Sequence, residues 1–346
     1  MKLKQPGFCG WDIGGAHLKV ARCDSQGRLE QVIQLPCALW RGIDELQQSL
    51  REAINKLDCA RDTHAITMTG ELVDAFAHRR EGVSAIIDCV SQILASQRCH
   101  IYAGKQGWLE PEQAKTNWQA VASMNWLASA AFTASQATHG FFIDIGSTTC
   151  DIVPFSSHQL SPLGLTDHER QLSGSLVYTG AIRTPLISLA TEAPLNGKKL
   201  SLAAEWFASS ADIWILLGKL NADMIQDSSA DGMPWTSDHC RQRLARMLAA
   251  DADDASHQQW QLVAQWFAEK QLQRISEACL QVMTACPLAD DSPLVGAGVG
   301  RFITEMLAIR LNRPYIDFAS LCQSQPAAAD HAPAAALALL AAQQLS

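Results

Sequence analysis

A short apolar run, Phe8 to Ile13, ends in Gly14-Gly15. Leu18 to Cys23 follows, and Asp24-Ser25-Gln26-Gly27 turns the chain into an extended piece from Gln31 to Leu39. Strand, turn, strand, turn, strand predicts a meander of hairpins. The period then changes. Ile43, Leu46, Leu50, Ile54 and Leu57 recur every three or four residues, which is one face of a helix. Ala65 to Met68 reads as a short strand, with Gly70-Glu71 opening a helical stretch. Val83 to Leu94 reads as helix, Ile101 to Ala103 as strand, and Trp118 to Ser135 as a helix rich in Ala and Ser, suited to close packing.

At Phe141 the opening pattern returns. Gly10-Trp11-Asp12-Ile13-Gly14-Gly15 and Phe142-Ile143-Asp144-Ile145-Gly146-Ser147 match in chemical type, about 130 residues apart, so the chain carries an internal repeat of two similar lobes. The first lobe is expected over residues 1–138 with a C-terminal helix (330–346) packed back on it, and the second over 139–329. Within the second, Ser173–Tyr178 and Thr184–Ser188 read as extended, and a helical block spans 200–286. An exposed loop is expected at Leu220 to Asp238. Gly296-Ala297-Gly298-Val299-Gly300 turns the strand Leu294-Val295 into a helix, Phe302 to Leu311, before a last short strand at Pro314 to Ile316. Arg241, Arg243 and Arg246 are spaced along a helix and read as a solvated face.

A chain of 346 residues is long enough for about two domains. At 48% hydrophobic and 18% charged, its composition is globular. The net charge of −8 argues against a general nucleic-acid binder, which needs a basic face, but leaves room for a local phosphate site. Eleven scattered cysteines with no CxxC pair read as small buried hydrophobes in a reducing compartment. The polar start Met1-Lys2-Leu3-Lys4 carries no signal-peptide core, and the uncharged run Thr116 to Ile143 is too interrupted to span a bilayer. The expectation is a soluble cytoplasmic protein with no nucleic-acid or membrane partner and room for a homodimer. Its histidines do not cluster as metal ligands, and the aromatics from Trp206 to Phe267 read as core. Trp108, in a glycine-rich turn, is either a turn residue or a cover for an aromatic substrate.

Two strand-end aspartates, each followed by a glycine turn, make a chemical proposal. Glycine lets backbone N–H groups approach an anion, and such turns form nests for phosphate oxygens. Asp12 and Asp144 can each hold a magnesium or similar divalent cation, usually through water. Facing each other, loops Gly14-Gly15 and Gly146-Ser147-Thr148-Thr149 would grip a polyphosphate and its metal, with Gly298 in a third turn. Lys19 either adds positive charge or is a solvated strand residue. Arg183 either binds a diphosphate or carboxylate through its planar fork or lies on the surface. Glu71 and Asp74 would sit one turn apart on a helix beginning at Gly70. Glu71 would then be a base or a carboxylate answering the helix dipole.

Asp12-Ile13-Gly14-Gly15 and Asp144-Ile145-Gly146-Ser147-Thr148-Thr149 resemble the phosphate-1 and phosphate-2 loops of the actin-like ATPase superfamily, which includes sugar kinases, heat-shock chaperones, actin and hydantoinase A/oxoprolinase. The resemblance implies a two-lobed α/β fold of the ribonuclease H-like kind, with a helical insertion in the second lobe. More narrowly, Thr67-Met68-Thr69-Gly70-Glu71-Leu72, Asn125-Trp126-Leu127-Ala128, Asp144 through Asp151, Tyr178-x-Gly180 with Arg183-Thr184, and Asp212 resemble hydantoinase/oxoprolinase-like proteins of archaea and methylotrophs. That group is linked to tetrahydromethanopterin-dependent one-carbon transfer and to methanofuran and methylofuran biosynthesis. The resemblance implies a transferase that condenses an aminomethyl-furanylmethyl diphosphate with the phenol oxygen of a γ-glutamyltyramine or tyrosine-type acceptor, releasing diphosphate. For that chemistry Glu71, Asp12 and Asp144 are the candidate catalytic residues. An ATP-dependent kinase or ATPase of the same fold and a non-catalytic nucleotide-binding regulator remain alternatives. His17 and Cys150 depart from the superfamily pattern, where Thr or Asn is more usual at the first position and Thr at the second, which puts the anion cradle in question there.

Overall fold

The computed structural model describes residues 5–94, 98–324 and 326–345. Met1 to Lys4 of the polar start, and Ser346 at the end of the predicted tail helix, lie outside the described residues. The chain opens with β1 (Phe8–Ile13), β2 (His17–Cys23), β3 (Leu29–Pro36), α1 (Ile43–Leu57), β4 (Thr63–Met68) and α2 (Arg79–Ile93). There follow β5 (Cys99–Tyr102), β6 (Trp108–Leu109), α3 (Pro111–Thr116), α4 (Trp118–Val121) and α5 (Asn125–Gln136). The repeat begins with β7 (His139–Ile145), β8 (Cys150–Ser156), β9 (Gln159–Leu160), α6 (Asp167–Leu172) and β10 (Leu176–Val177). An insertion contains the hairpin β11 (Glu192–Leu195) and β12 (Lys198–Ser201), then α7 (Ser210–Leu216), α8 (Ser237–Met247) and α9 (His257–Ala285). The chain closes with β13 (Leu294–Ala297), α10 (Arg301–Arg310), β14 (Tyr315–Asp317), α11 (Phe318–Leu321), α12 (Ala327–Asp330) and α13 (Ala332–Gln344).

Two compact units result. One comprises residues 1–138, 157–159 and 317–346; the other comprises 139–156 and 160–316. Residues 317–329, assigned to the second lobe on sequence, therefore belong with the first, because α11 and α12 pack toward α5 and α13. Each unit has its own apolar core. The first sheet has strand order β3-β2-β1-β4-β5-β6, and the second β10-β8-β7-β13-β14. In the first, β1 runs antiparallel to β2 and parallel to β4; in the second, β7 runs antiparallel to β8 and parallel to β13. The duplication read from the sequence is thus a duplication of strand topology.

The alanine-rich tail makes the first unit work. In α13 every residue from Ala332 to Ala341 is buried, as expected of a helix that is apolar all round. It lies on the sheet at Gly10, where a Cβ would stand 2.0 Å from the Ala334 carbonyl, so only glycine allows the contact. Small residues in α13 and α5 let both helices lie close.

Several local expectations are corrected. No helix starts at Gly70. Gly70–Leu72 forms one tight 3₁₀ turn, Val73 is extended, and α2 begins only after His78, whose side chain caps the Glu81 amide. The Trp118–Ser135 segment is broken into α4 and α5, with Ser123 in the left-handed region at φ 56°. The block at 200–286 starts in the β-hairpin rather than in a helix. Thr184–Ser188 is not a strand: Pro185 forms only an isolated bridge to Ser209, and Leu186–Ser188 is a 3₁₀ turn. Arg243 is fully buried rather than solvated, because carboxylates distant in sequence meet it: Asp212 at 2.7 Å and Asp231 at 3.0 Å. The predicted exposed loop at 220–238 is tied down through that same Asp231, which also bonds Arg246 at 2.7 Å.

Candidate functional site

The first glycine turn sits at the end of β1. The Gly14 N–H donates to the His17 carbonyl at 3.0 Å, closing the turn into β2, and the Thr69 N–H after β4 donates to the Ile13 carbonyl at 2.9 Å. Asp12 is 2% exposed. Across the antiparallel pair it faces Lys19, whose Nζ lies 3.4 Å from its Oδ2; across the parallel pair it faces Thr67. Asp12 Oδ1 is buried and receives no hydrogen bond in the structure. A buried acceptor oxygen without a donor carries a desolvation penalty of about 1–3 kcal/mol, so the position favours a cation or a water at that atom. Lys19, one of the two open readings, is thus the cross-strand partner of Asp12 and remains partly exposed.

Glu71 stands beside this turn. A Cβ on Gly70 would lie 3.2 Å from the Ile13 carbonyl and 3.3 Å from that of Gly14, so the Gly70–Leu72 turn hugs the loop. Glu71 is 1% exposed. Ser123 Oγ donates to its Oε1 at 2.7 Å, while Oε2 is buried without a donor. Burial pushes the Glu71 carboxyl above the usual range, with the Ser123 bond opposing the shift. Ser123 reaches Glu71 because Ala122 bridges to Met68 at the end of β4 and the left-handed Ser123 then redirects the chain. Asp74 is exposed and shares no helix face with Glu71, so the paired-carboxylate expectation fails.

The second turn follows the same plan. The Gly146 N–H donates to the Thr149 carbonyl at 2.9 Å, and the Gly300 N–H after β13 donates to the Ile145 carbonyl at 2.8 Å. Asp144, 8% exposed, pairs in register with Asp151 on β8 and Ala297 on β13. Gly298 has φ 81°, and a Cβ there would stand 2.4 Å from Asp144 Oδ1 and 2.3 Å from the Ile145 carbonyl. Its glycine is required by both conformation and space. Asp151 forms an ion pair with the buried Arg170. Burial raises the Asp151 carboxyl and the Arg170 charge opposes that rise.

The turn at Ser147 is backed by a second segment. The Ala181 N–H donates to the Gly146 carbonyl at 2.9 Å, and the Ile182 and Arg183 N–H groups donate to the Ser147 carbonyl at 3.1 and 2.8 Å. A Cβ on Gly180 would sit 2.5 Å from Ser147, so the two backbones touch. Ser147 and Thr149 are half-buried, and Thr148 and Arg183 are exposed. Cys150 points into the core rather than toward the turn, and burial drives its thiol well above the ordinary range. The Cys150 side chain therefore takes no part in the turn. At His17 the backbone carbonyl closes the first turn, which any residue could supply. Trp108 is held inside its own unit, donating to Gln344 Oε1 at 2.7 Å and packing edge-on against Tyr102.

The model of the hydantoinase/oxoprolinase family matches residues 62–344. The chain is a member of that family. This hydantoinase/oxoprolinase family member is 33% identical over 247 residues to a Methanocaldococcus jannaschii protein, covering 70% of this chain and 72% of the relative. That relative is named (4-{4-[2-(gamma-L-glutamylamino)ethyl]phenoxymethyl}furan-2-yl)methanamine synthase. A Methanococcus vannielii protein of the same name is 30% identical over 114 residues, 33% of this chain and 51% of that protein. Among solved structures, nucleotide-free acetone carboxylase has a TM-score of 0.56 at 10% identity, covering 88% of this chain and 68% of that one. A ROK family glucokinase from Streptomyces griseus, in complex with glucose and AMPPNP, has a TM-score of 0.50 at 13% identity, covering 97% of this chain and 99% of that one. These likenesses are of fold, and the fold is the actin-like ATPase fold expected from the two turns. Among the described residues no helix is long and apolar enough to cross a membrane.

Proposed function

We propose that this chain is a transferase that joins an aminomethyl-furanylmethyl diphosphate to the phenol oxygen of a γ-glutamyltyramine-type acceptor. The observation that carries the proposal is the Methanocaldococcus relative, whose named product is an aryl ether linking those two halves. Making that ether requires the furanylmethyl carbon to lose a leaving group and gain the phenol oxygen. In the proposed step the bond from that carbon to a diphosphate oxygen breaks, the phenol oxygen takes the carbon, and the phenolic proton passes to a base. Diphosphate departs.

The chain's own groups suit these demands. The Gly14 and Gly146 turns present backbone at two strand ends where an anion can be received, and Arg183, whose N–H holds the Ser147 carbonyl, carries an exposed guanidinium that can add a forked donor. Glu71 is assigned as the proton acceptor. Its raised carboxyl is a stronger base than an exposed glutamate, and Oε2 is the atom with an open acceptor position. Asp12 Oδ1, buried without a donor, fits a divalent cation, and Asp144 occupies the equivalent place in the other repeat. Magnesium keeps most of its waters and takes phosphate oxygens from a substrate, so one or two carboxylates suffice to hold it. When bound, it would supply positive charge to the departing diphosphate.

The test is to incubate the purified chain with the furan diphosphate, γ-glutamyltyramine and Mg²⁺, following ether by mass and diphosphate by a coupled assay. Equal amounts of both are expected. Glu71→Gln should lower kcat by about 100-fold while leaving the KM for the diphosphate unchanged. ATP hydrolysis with no ether formed would overturn the proposal in favour of a kinase or ATPase.

A further inference from the structure

One carbonyl in the second unit is held more firmly than its place in a loop requires. The Gly180 oxygen accepts from Gln271 Nε2 at 2.7 Å, Ser210 Oγ at 2.8 Å and Thr184 Oγ1 at 3.1 Å. Gln271 lies on α9 with no exposed surface. Its Nε2 also donates to Thr179 Oγ1 at 2.8 Å, and Trp214 Nε1 donates to its Oε1 at 2.8 Å. An indole nitrogen only donates, so the amide oxygen must face Trp214 and the NH₂ must face Thr179 and Gly180. The amide thus has one allowed orientation. The Gly180 N–H is bound as well, to Thr184 Oγ1 at 2.8 Å.

The segment so gripped is the one that backs the second glycine turn. Ala181, Ile182 and Arg183 hold the Gly146 and Ser147 carbonyls, with Gly180 pressed against Ser147. Core filling does not call for an amide at position 271, since a methionine would occupy the same volume. Placing an amide there demands partners, because a buried one left unpaired costs about 1–3 kcal/mol. The acceptors of its NH₂ both belong to the backing segment. The chain of contacts therefore runs from α9 through Gly180 to the carbonyls of the turn and to the root of Arg183.

We infer that Gln271 is a positioning residue for the anion-binding turn: by fixing Gly180 it sets where Ser147 and Arg183 stand when a diphosphate is received. This inference rests on the diphosphate reading of the turn. Ser210 shares the task, its Oγ donating to the same carbonyl and accepting from the Thr184 N–H at 3.2 Å.

Two variants of the full chain test it, Gln271→Met and Ser210→Ala. With Mg²⁺ present, calorimetry should show inorganic diphosphate binding weakened about tenfold in Gln271→Met and about threefold in Ser210→Ala. The KM for the phenol acceptor should not change. A merely structural loss would reduce the amount of active protein and leave both affinities as they were. Wild-type diphosphate affinity retained in both variants would overturn the inference. Hydrogen exchange in the free protein gives an independent arm: amides 146–149 should exchange about tenfold faster in Gln271→Met. If wild type binds no diphosphate, the functional reading falls and exchange alone decides; unchanged protection of 146–149 then overturns the positioning role. Should Gln271→Met fail to fold, Ser210→Ala carries both measurements, since it removes one hydroxyl and little volume.

Discussion

The two glycine turns share a hydrogen-bond plan and differ in what stands opposite the aspartate. Across from Asp12 is Lys19, a partly exposed cation; across from Asp144 is Asp151, whose charge is answered from behind by Arg170. The first turn is hugged by a 3₁₀ turn bearing a buried Glu71, and the second by a backbone segment that ends in an exposed Arg183. A duplicated backbone thus carries unlike chemistry. The first repeat carries a buried carboxyl and a partly exposed counter-charge, whereas the second carries hydroxyls and a fixed internal pair. Duplication preserves what the strand ends require and leaves the facing side chains free to diverge.

The sharpest way to break this comparison is to neutralise the shared feature. Asp12→Asn and Asp144→Asn should each lower turnover by at least about 100-fold, with cooperative unfolding retained. A wild-type rate in either would show that its turn plays no part in the chemistry. Removing the unlike partners comes next. Arg170→Met strands Asp151 in the interior and should cost about 3 kcal/mol in denaturant unfolding, while Lys19→Met should cost less than about 1 kcal/mol. Equal losses would erase the distinction between a fixed and a removable counter-charge.

Smaller effects sharpen it further. Gly298→Ala meets both a left-handed φ and the Asp144 carboxylate and should destabilise by about 2 kcal/mol. Gly14→Ala, whose Cβ would be tight only against the His17 carbonyl at 3.0 Å and in ordinary contact with Thr69 Oγ1 at 3.8 Å, should cost about half that or less. The smallest effect concerns acid. His64, buried in the first unit, accepts from Trp11 Nε1 at 3.1 Å, and burial lowers its pKa to about 4 from 6.5. Its folded state favours the neutral ring, so stability is full above the unfolded value and is lost as pH falls toward about 4. Between about pH 7 and 5.5 that loss is about 1 kcal/mol. Glu71 works the other way, since a raised carboxyl loses stability as pH rises. The readout is therefore the difference between wild type and His64→Gln over that range, measured by chemical denaturation.

Much of this was legible in the sequence, and the reasons differ by element. The Asp–Gly turns were visible because strand–turn–strand chemistry is local, and the repeat made each copy a check on the other. Glu71 was placed on the wrong element. Nothing local shows that Gly82 packs flush against it, where a Cβ would stand 2.8 Å from its Cα, and makes α2 fold back only after His78. Arg243 looked solvated because its partners Asp212 and Asp231 lie 31 and 12 residues away in sequence. Gln271 had a signal that went unread. It falls on the buried stripe Val263, Phe267, Gln271, Ile275 of α9, and an amide on an apolar stripe announces a partner.

The helix laid over Gly10 also has a temporal consequence. Ala334 is synthesised 324 residues after the glycine it covers. On the ribosome, the first sheet must wait, its alanine-facing side bare, until α13 emerges, and the strand β14 that completes the other sheet is made between the two. Contacts so far apart in the chain close slowly, and an uncovered apolar sheet is prone to aggregate in the interval. Burial of the thirteen-residue α13 over that sheet is what ends the exposure.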